Sequence, residues 1–363
     1  MSTTVRPTRE SITNLRAYNA HDPAGVTILA SNESPANLPE ELRRELAAAL
    51  DGFAFNRYPD PAADDLRALI ADANGLDSDC VLVANGGDEL LLDALICWGG
   101  AGRTFLNAPP TFSIYGIDAA LTDTRVLSVP RTTDSFALDT DAVVAALAQT
   151  DVDLVIVANP NNPTGALTPE EDLLRILDAT DALVLVDEAY FEFSRRSMRP
   201  YLDAHANLAI LRTFSKAFCL SSLRLGYLLA SPDVITTFAK ARQTYSVNAF
   251  TQLAGAAAYR RRQLFVPMIE TVMNERRRLY RELSAIQAVE VWPSDANFLL
   301  FRVADAHSVW QRLVDEHRIL VRDFSAAPQL RDCLRVTVGT RAENDAFLAA
   351  LRAILGQAPA GNS

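Results

Sequence analysis

Residues 153–187 read DLVIVANPNNPTGALTPEEDLLRILDATDALVLVD, and this stretch decides the fold. It begins and ends on apolar runs, Leu154 to Ala158 and Ala182 to Val186, that are rich in Val, Leu and Ile and bounded by turn residues. A short run that is apolar at consecutive positions has two faces to bury, as strands of a mainly parallel sheet do. Between the runs, Thr168-Pro169-Glu170 signals a helix start, with Thr at the cap and Pro and acids in the first turn. Leu173, Leu174, Ile176 and Leu177 then recur at helical spacing. Strand, helix and strand in succession imply an α/β domain with crossover connections.

Working outward, Val81–Ala84, 207–213 and 225–230 read as further buried strands, and 64–73 and 89–98 as helices. The pattern changes near Val266-Pro267, where a charged helix follows over about 268–284. Its run Glu275-Arg276-Arg277-Arg278 reads as a solvated face. Alternating segments at 290–292, 297–303 and 335–338 come next. The expected organisation is an N-terminal arm to residue 30 contributing to a small domain, a large domain over 31–265, and a small α+β domain over 266–363.

Composition narrows the function. The 363 residues carry 34 Lys and Arg against 45 Asp and Glu, a net charge of -11 that argues against a nucleic-acid binder. With 49% hydrophobic and 22% charged residues, the chain can bury a large core. Cys80, Cys97, Cys219 and Cys333 form no CxxC pair, which fits a reducing compartment and excludes a zinc knuckle. His21, His205, His307 and His317 have no ligand spacing, so no metal is expected. The start MSTTVRPTRESITNL lacks the apolar core of a signal peptide, and no apolar run approaches the ~20 residues of a membrane span, so a soluble, cytoplasmic protein is expected. Lys216 and Lys240 are the only lysines. Chemistry that needs a primary amine therefore has two candidates, and Lys240 sits in a plain helical stretch.

Open α/β sheets bind ligands beyond the carboxyl ends of their strands. Four such ends are polar or glycine-rich: Asn85-Gly86-Gly87-Asp88, the segment from Asn159 to Gly165, Asp187-Glu188-Ala189-Tyr190, and Ser215-Lys216. Together they supply what pyridoxal phosphate demands: an amine for a Schiff base, a carboxylate for the pyridine nitrogen, donors for the phenolic oxygen, an aromatic plane and a phosphate cradle. Lys216 follows a strand. Asp187 ends another, where its charge is costly unless a cation pairs with it. Gly86-Gly87 opens a helix whose free N–H groups suit a phosphate. Asp88 and Glu89 would repel that phosphate, so their side chains are expected to point away.

The chain resembles the fold-type I pyridoxal phosphate aminotransferases over most of its length. The matching motifs, in order, are Leu29-Ala30-Ser31-Asn32-Glu33, Arg57-Tyr58-Pro59-Asp60, Gly86-Gly87-Asp88-Glu89, Pro110-Thr111-Phe112 and Asn161-Asn162-Pro163-Thr164-Gly165. Asp187-Glu188-Ala189-Tyr190, Ser215-Lys216-Ala217-Phe218, Leu223-Arg224-Leu225-Gly226-Tyr227 and Leu334-Arg335-Val336-Thr337-Val338-Gly339-Thr340 complete the set. The forms around Tyr58 and Arg335 are most similar to the histidinol-phosphate aminotransferases. The resemblance implies a large domain with a mainly parallel sheet flanked by helices, plus a smaller α+β domain. It further implies that Lys216 holds the cofactor and shuttles a proton, Asp187 pairs with the pyridinium, and Asn162 and Tyr190 hold the phenolate. Gly87, Asp88 (through its N–H), Ser215 and Arg224 would bind the phosphate, with Tyr58 reaching it from the partner subunit of a homodimer. Phe112 would stack on the ring, where Tyr is common. Arg335 would clamp a substrate carboxylate, with Tyr18, Arg322 and Asn32 as further contacts.

Cys219-Leu220-Ser221-Ser222 departs from the Ala/Gly-rich form common after the lysine. The implied reaction moves an amino group between L-histidinol phosphate and 2-oxoglutarate. An aromatic amino acid aminotransferase and a threonine-phosphate decarboxylase share the same cofactor residues, and a cofactor-holding binding module is the alternative from another class.

Overall fold

The computed structural model describes residues 6, 8–13, 15 and 23–356. In chain order its strands are β1 (Thr27–Leu29), β2 (Val81–Ala84), β3 (Thr104–Asn107), β4 (Arg125–Ser128), β5 (Leu154–Ala158), β6 (Leu183–Asp187), β7 (Leu208–Thr213), β8 (Gly226–Ala230), β9 (Val289–Val291), β10 (Phe298–Val303), β11 (Ile319–Asp323) and β12 (Cys333–Thr337). Seven of them form a sheet in the order β2-β8-β7-β6-β5-β3-β4. Only β8 runs antiparallel to its neighbours; the pairs from β7 to β4 are parallel.

The quoted stretch behaves as its pattern dictates. Val155, Val157, Val184 and Val186 enter one apolar cluster, and Leu154, Ile156, Leu183 and Leu185 enter a second. Alternate residues of a strand face opposite sides, so a continuous apolar run feeds both layers. Helix Glu170–Asp178 covers one side with Leu173, Ile176 and Leu177, and helix Gly87–Trp98 covers the other with Leu90, Leu91, Ala94 and Leu95. Each such Leu or Ile side chain contributes about 1.5–3 kcal/mol by burial. A charge at Val184 would have no partner on either side and would break the sheet.

Three readings need correction. Thr168 does not cap the helix, whose N-cap is Pro169. The Asn159 side chain takes both backbone groups of Thr168, accepting from its N–H at 2.7 Å and donating to its carbonyl at 3.2 Å, which holds that residue outside the helix. The arginine run is not a solvated face. Glu275 and Arg276 are buried, Arg276 donates to the Ala296 carbonyl at 2.7 Å, and Glu275 gathers Arg278, Arg341 and Asn344. Strands β1, β3, β4 and β11 also escaped the pattern; β4 is an edge strand with mostly exposed residues and so has no apolar run to read.

The remaining strands form a second sheet in the order β1-β11-β12-β10-β9, with β1 parallel to β11 and the other pairs antiparallel. Pairing of Thr27 with Ile319 and Leu29 with Val321 brings the segment after β1 beside β12. Among the described residues no helix is long and apolar enough to cross a membrane.

Candidate active site

The site forms at the carboxyl ends of β5, β6 and β7, where each strand hands its chain to a polar turn. Asp187 is the last residue of β6, paired in register with Ala158 and Leu211, and only 6% exposed. Its Oδ2 accepts from the Tyr115 hydroxyl at 2.6 Å and its Oδ1 from the Ala189 N–H at 3.0 Å. The negative charges of Asp88 and Glu188 both act on it. Burial pushes its carboxyl up to about 6, with the Tyr115 hydrogen bond opposing the rise.

Three residues on, the buried Tyr190 hydroxyl accepts from Asn32 Nδ2 at 2.8 Å. Burial pushes the phenol up to about 12, while the nearby Arg335 charge works against that. Asn32 adopts a left-handed backbone (φ 54°), and its N–H donates to Thr337 Oγ1 at 2.9 Å. Its carbonyl accepts from Asn297 at 3.0 Å, so it ties the first sheet's ligands to the second sheet.

Lys216 is half-buried, and its Nζ donates to the Ser31 carbonyl at 3.1 Å. Burial first and Arg335 second bring the amine down to about 8, against the pull of Asp88 and Glu33. Arg335 lies on β12, 6% exposed, and donates to the Ala30 carbonyl at 2.7 Å and to Asn162 Oδ1. Its guanidinium lies over the rings of Phe298 and Phe324, with centroids at 5.1 and 5.5 Å. Arg322 on β11 is its direct register partner. Opposite residues of an antiparallel pair share a face, and like charges there are unfavourable unless an anion joins them.

The phosphate cradle is built on close backbone approach. Gly86 has φ 87°, and a Cβ there would lie 2.9 Å from Arg224 Nη2. A Cβ at Gly226 would lie 2.7 Å from the Gly86 carbonyl carbon. Gly87 starts the helix, and Arg224, itself left-handed (φ 50°), reaches Ser215 Oγ at 3.4 Å. Glu89 turns back onto the Asn85 N–H, but Asp88 does not point away as expected. Its Oδ2 accepts from Arg224 Nη2 at 2.9 Å, so the cradle's cation is held by an internal carboxylate.

Among the residues expected from sequence, the structure connects Asp187, Tyr190, Asn32, Asn162 and Arg335 with Lys216 through these bonds and charges, and gathers Gly87, Asp88, Ser215 and Arg224 in the cradle. Phe112 is half-buried, its ring edge-on to Tyr115 at 5.7 Å. Tyr58 stands apart: it is 82% exposed and stacks on Tyr245 at 4.7 Å. Tyr18 lies outside the described residues. Sequence reasoning missed Tyr115, whose position one helical turn after Phe112 was the available signal.

These residues fit pyridoxal phosphate. A buried carboxylate bonded by a phenol and an amide suits a protonated ring nitrogen, a half-buried amine near 8 suits a carbonyl carbon, and a helix N-terminus with Ser215 and Arg224 suits a phosphate.

Comparison with known proteins agrees with this reading. The family described as aminotransferase class I and II matches residues 24–351. A histidinol-phosphate aminotransferase of Desulfitobacterium hafniense is 36% identical over 351 residues, covering 96% of this chain and 97% of that one. Its counterpart in Gloeobacter violaceus is 40% identical over 351 residues, 95% and 97% of the two chains. In fold, the chain is similar to the crystal structure of histidinol-phosphate aminotransferase from Sinorhizobium meliloti in complex with pyridoxal-5'-phosphate. That match has a TM-score of 0.87 at 24% identity and covers 97% of this chain and 99% of that one.

Proposed function

The chain belongs to the class I and II aminotransferases, enzymes that depend on pyridoxal phosphate, and from that premise we propose that it exchanges an amino group between L-histidinol phosphate and 2-oxoglutarate, giving imidazole acetol phosphate and L-glutamate. The observation that carries the substrate class is the facing pair Arg322 and Arg335 on β11 and β12. Two guanidinium groups on one face match a doubly charged phosphate, and the same pair suits the carboxylates of the second substrate.

When bound, pyridoxal phosphate supplies an electron sink for the pair released as the substrate Cα–H bond breaks, and a carbon that carries the amino group from donor to acceptor. Asp187 holds the positive ring nitrogen, its charge retained by the Tyr115 and Ala189 bonds. Lys216 Nζ takes the Cα proton and returns it. An amine near 8 is partly neutral at working pH, which general-base work requires. Asn162 and Tyr190 hold the ring oxygen. Gly87 and Asp88 N–H groups, Ser215 and Arg224 hold the phosphate, and Asp88's carboxylate must release Arg224 to admit it. Phe112 stacks on the ring. Asn32 orients Tyr190, and Arg335 binds the substrate anion with Arg322 and Tyr18.

The same reading divides the chain into a large domain over 31–265 and a small one over 266–363 joined by the N-terminal arm, and makes it a cytoplasmic homodimer. Exposed Phe55 (76%) and Tyr58 support the dimer, in which Tyr58 would serve the partner's site. Steady-state kinetics test the substrate. We expect histidinol phosphate to exceed phenylalanine and tyrosine in kcat/KM. A tenfold advantage for either aromatic amino acid sinks the proposal, and release of CO₂ from threonine phosphate would point to the decarboxylase.

A further inference from the structure

Resting on that cofactor reading, we infer that Tyr115 is a positioning residue for the reaction: its hydroxyl fixes the Asp187 carboxylate and keeps it ionised, so that it can hold a protonated ring nitrogen. The geometry is specific. Tyr115 is completely buried in helix Ile114–Leu121, 72 positions before Asp187 in the chain, and its hydroxyl lies 2.6 Å from Oδ2. Such a distance marks a charge-assisted O–H···O⁻ bond. Among the described residues the other bond to the carboxylate is the Ala189 N–H on Oδ1.

Among the described residues no ion pair holds the Asp187 carboxylate. The groups facing Asp187 are Asp88 from helix Gly87–Trp98, Glu188 and Tyr190 from its own turn, and Tyr115. Two of these carry negative charge and disfavour ionisation of Asp187. Arg131 is buried beyond Tyr115, where it donates to the carbonyls of Ala108 and Phe136 at 3.3 Å and acts on the phenol rather than on the carboxylate. Burial and the neighbouring carboxylate hold the Tyr115 phenol well above its usual range, so it remains a donor at every working pH. The two bonds occupy one site on each carboxylate oxygen and leave further lone pairs for the ring nitrogen. Phe112, three residues earlier on the same segment, is edge-on to Tyr115, so the residue expected to stack on the ring and the residue that orients its counter-ion share one turn of chain.

The alternative is that Tyr115 only fills the core, which a phenylalanine would do equally well. The test therefore reads pyridoxal phosphate binding to apoprotein, by absorbance titration between pH 5.5 and 8.5, rather than turnover. In wild type, binding should weaken as pH falls through the Asp187 titration. Tyr115→Phe keeps the ring and removes the donor, so the acid limb should move up by about one pH unit, with binding about twofold weaker at pH 7 and approaching tenfold weaker at pH 5.5. Tyr115→3-fluorotyrosine, a stronger donor, should move the limb down. In an Asp187→Asn background, Tyr115→Phe should have no further effect on binding. A limb that stays in place, or a Tyr115→Phe effect that persists without Asp187, overturns the inference. Wild-type apoprotein that binds no pyridoxal phosphate would overturn the cofactor reading together with it, whereas wild-type binding with an unmoved limb overturns this inference alone.

Discussion

Replacing Arg335 separates two roles that the structure gives one side chain. Arg335 can present a pair of charged donors to a substrate anion, and each such bond contributes about 1.5–3 kcal/mol. Its donors already serve the Ala30 carbonyl and Asn162 Oδ1, so substrate exchanges partners rather than meeting a bare cation. That exchange places the expected loss at the lower end of the range. Arg335→Met should reduce kcat/KM for histidinol phosphate by about 100-fold, the equivalent of ~3 kcal/mol. Arg335 is also the largest influence after burial that holds the Lys216 amine down. Arg335→Met should therefore raise the Lys216 titration, whereas Arg335→Lys keeps the charge, leaves that titration near wild type, and still loses substrate affinity because an ammonium cannot grip an anion bidentately. The pH dependence of Lys216 acetylation in apoprotein, read by peptide mass spectrometry with Lys240 as internal reference, measures the second effect. A kcat/KM within threefold of wild type for Arg335→Met, or an unmoved Lys216 midpoint, would refute the reasoning.

Asp187→Asn should abolish turnover yet stabilise the apoprotein at pH 7. A carboxyl raised to about 6 from an unfolded value of 3.8 costs ~3 kcal/mol when ionised; the cost is full above pH 6, shrinks as pH falls, and vanishes below the unfolded value, and urea titrations at pH 7 and pH 3.5 would reveal equal stabilities if this is wrong. Asp88→Asn should tighten pyridoxal phosphate binding by a few-fold, because Arg224 is then free of its internal anion; the pair is about half exposed, which limits the gain. Equilibrium dialysis giving weaker binding would contradict it. Borohydride reduction followed by digestion should place the pyridoxyl label on Lys216 and leave Lys240 unmodified.

Most of the fold was legible because it follows from burial. Strands β5, β6, β7 and β8 are apolar at nearly every position, and that pattern has few other solutions. Strand β4 carries little burial and left no trace in the pattern. The arginine run misled for the opposite reason. Charged side chains on a helix suggest solvent, yet Arg276 is satisfied by a carbonyl of the Asp295-Ala296 turn, and Glu275 by Arg278 one turn along its helix and by Arg341 and Asn344 from the last helix. The identity of the site residues was likewise legible from the strand ends, but their pairing was not. Asn32 bonds Tyr190 across 158 positions and Arg335 bonds Asn162 across 173, separations over which no local periodicity operates.

Two adjacent carboxylates show what burial adds to that reading. Glu188 is completely buried and fully compensated: Arg212 donates to Oε2 at 2.9 Å, Ser197 donates to the same oxygen at 2.9 Å, and the Met198 N–H donates to Oε1 at 2.7 Å. Arg212 is in turn held by Asn74 and lies over the Phe191 ring. Asp187, one residue earlier, is buried almost as deeply and is given, among the described residues, a phenol and an amide but no ion pair. The dipeptide Asp-Glu does not say which acid is structural. The difference in compensation does: a charge paired within the chain locks the turn, and the charge left unpaired is the one kept for a cation the chain does not supply. Rigidity at Glu188 is what allows the fold to tolerate the cost at Asp187, since a mobile turn would swing the carboxylate into water and lose the site.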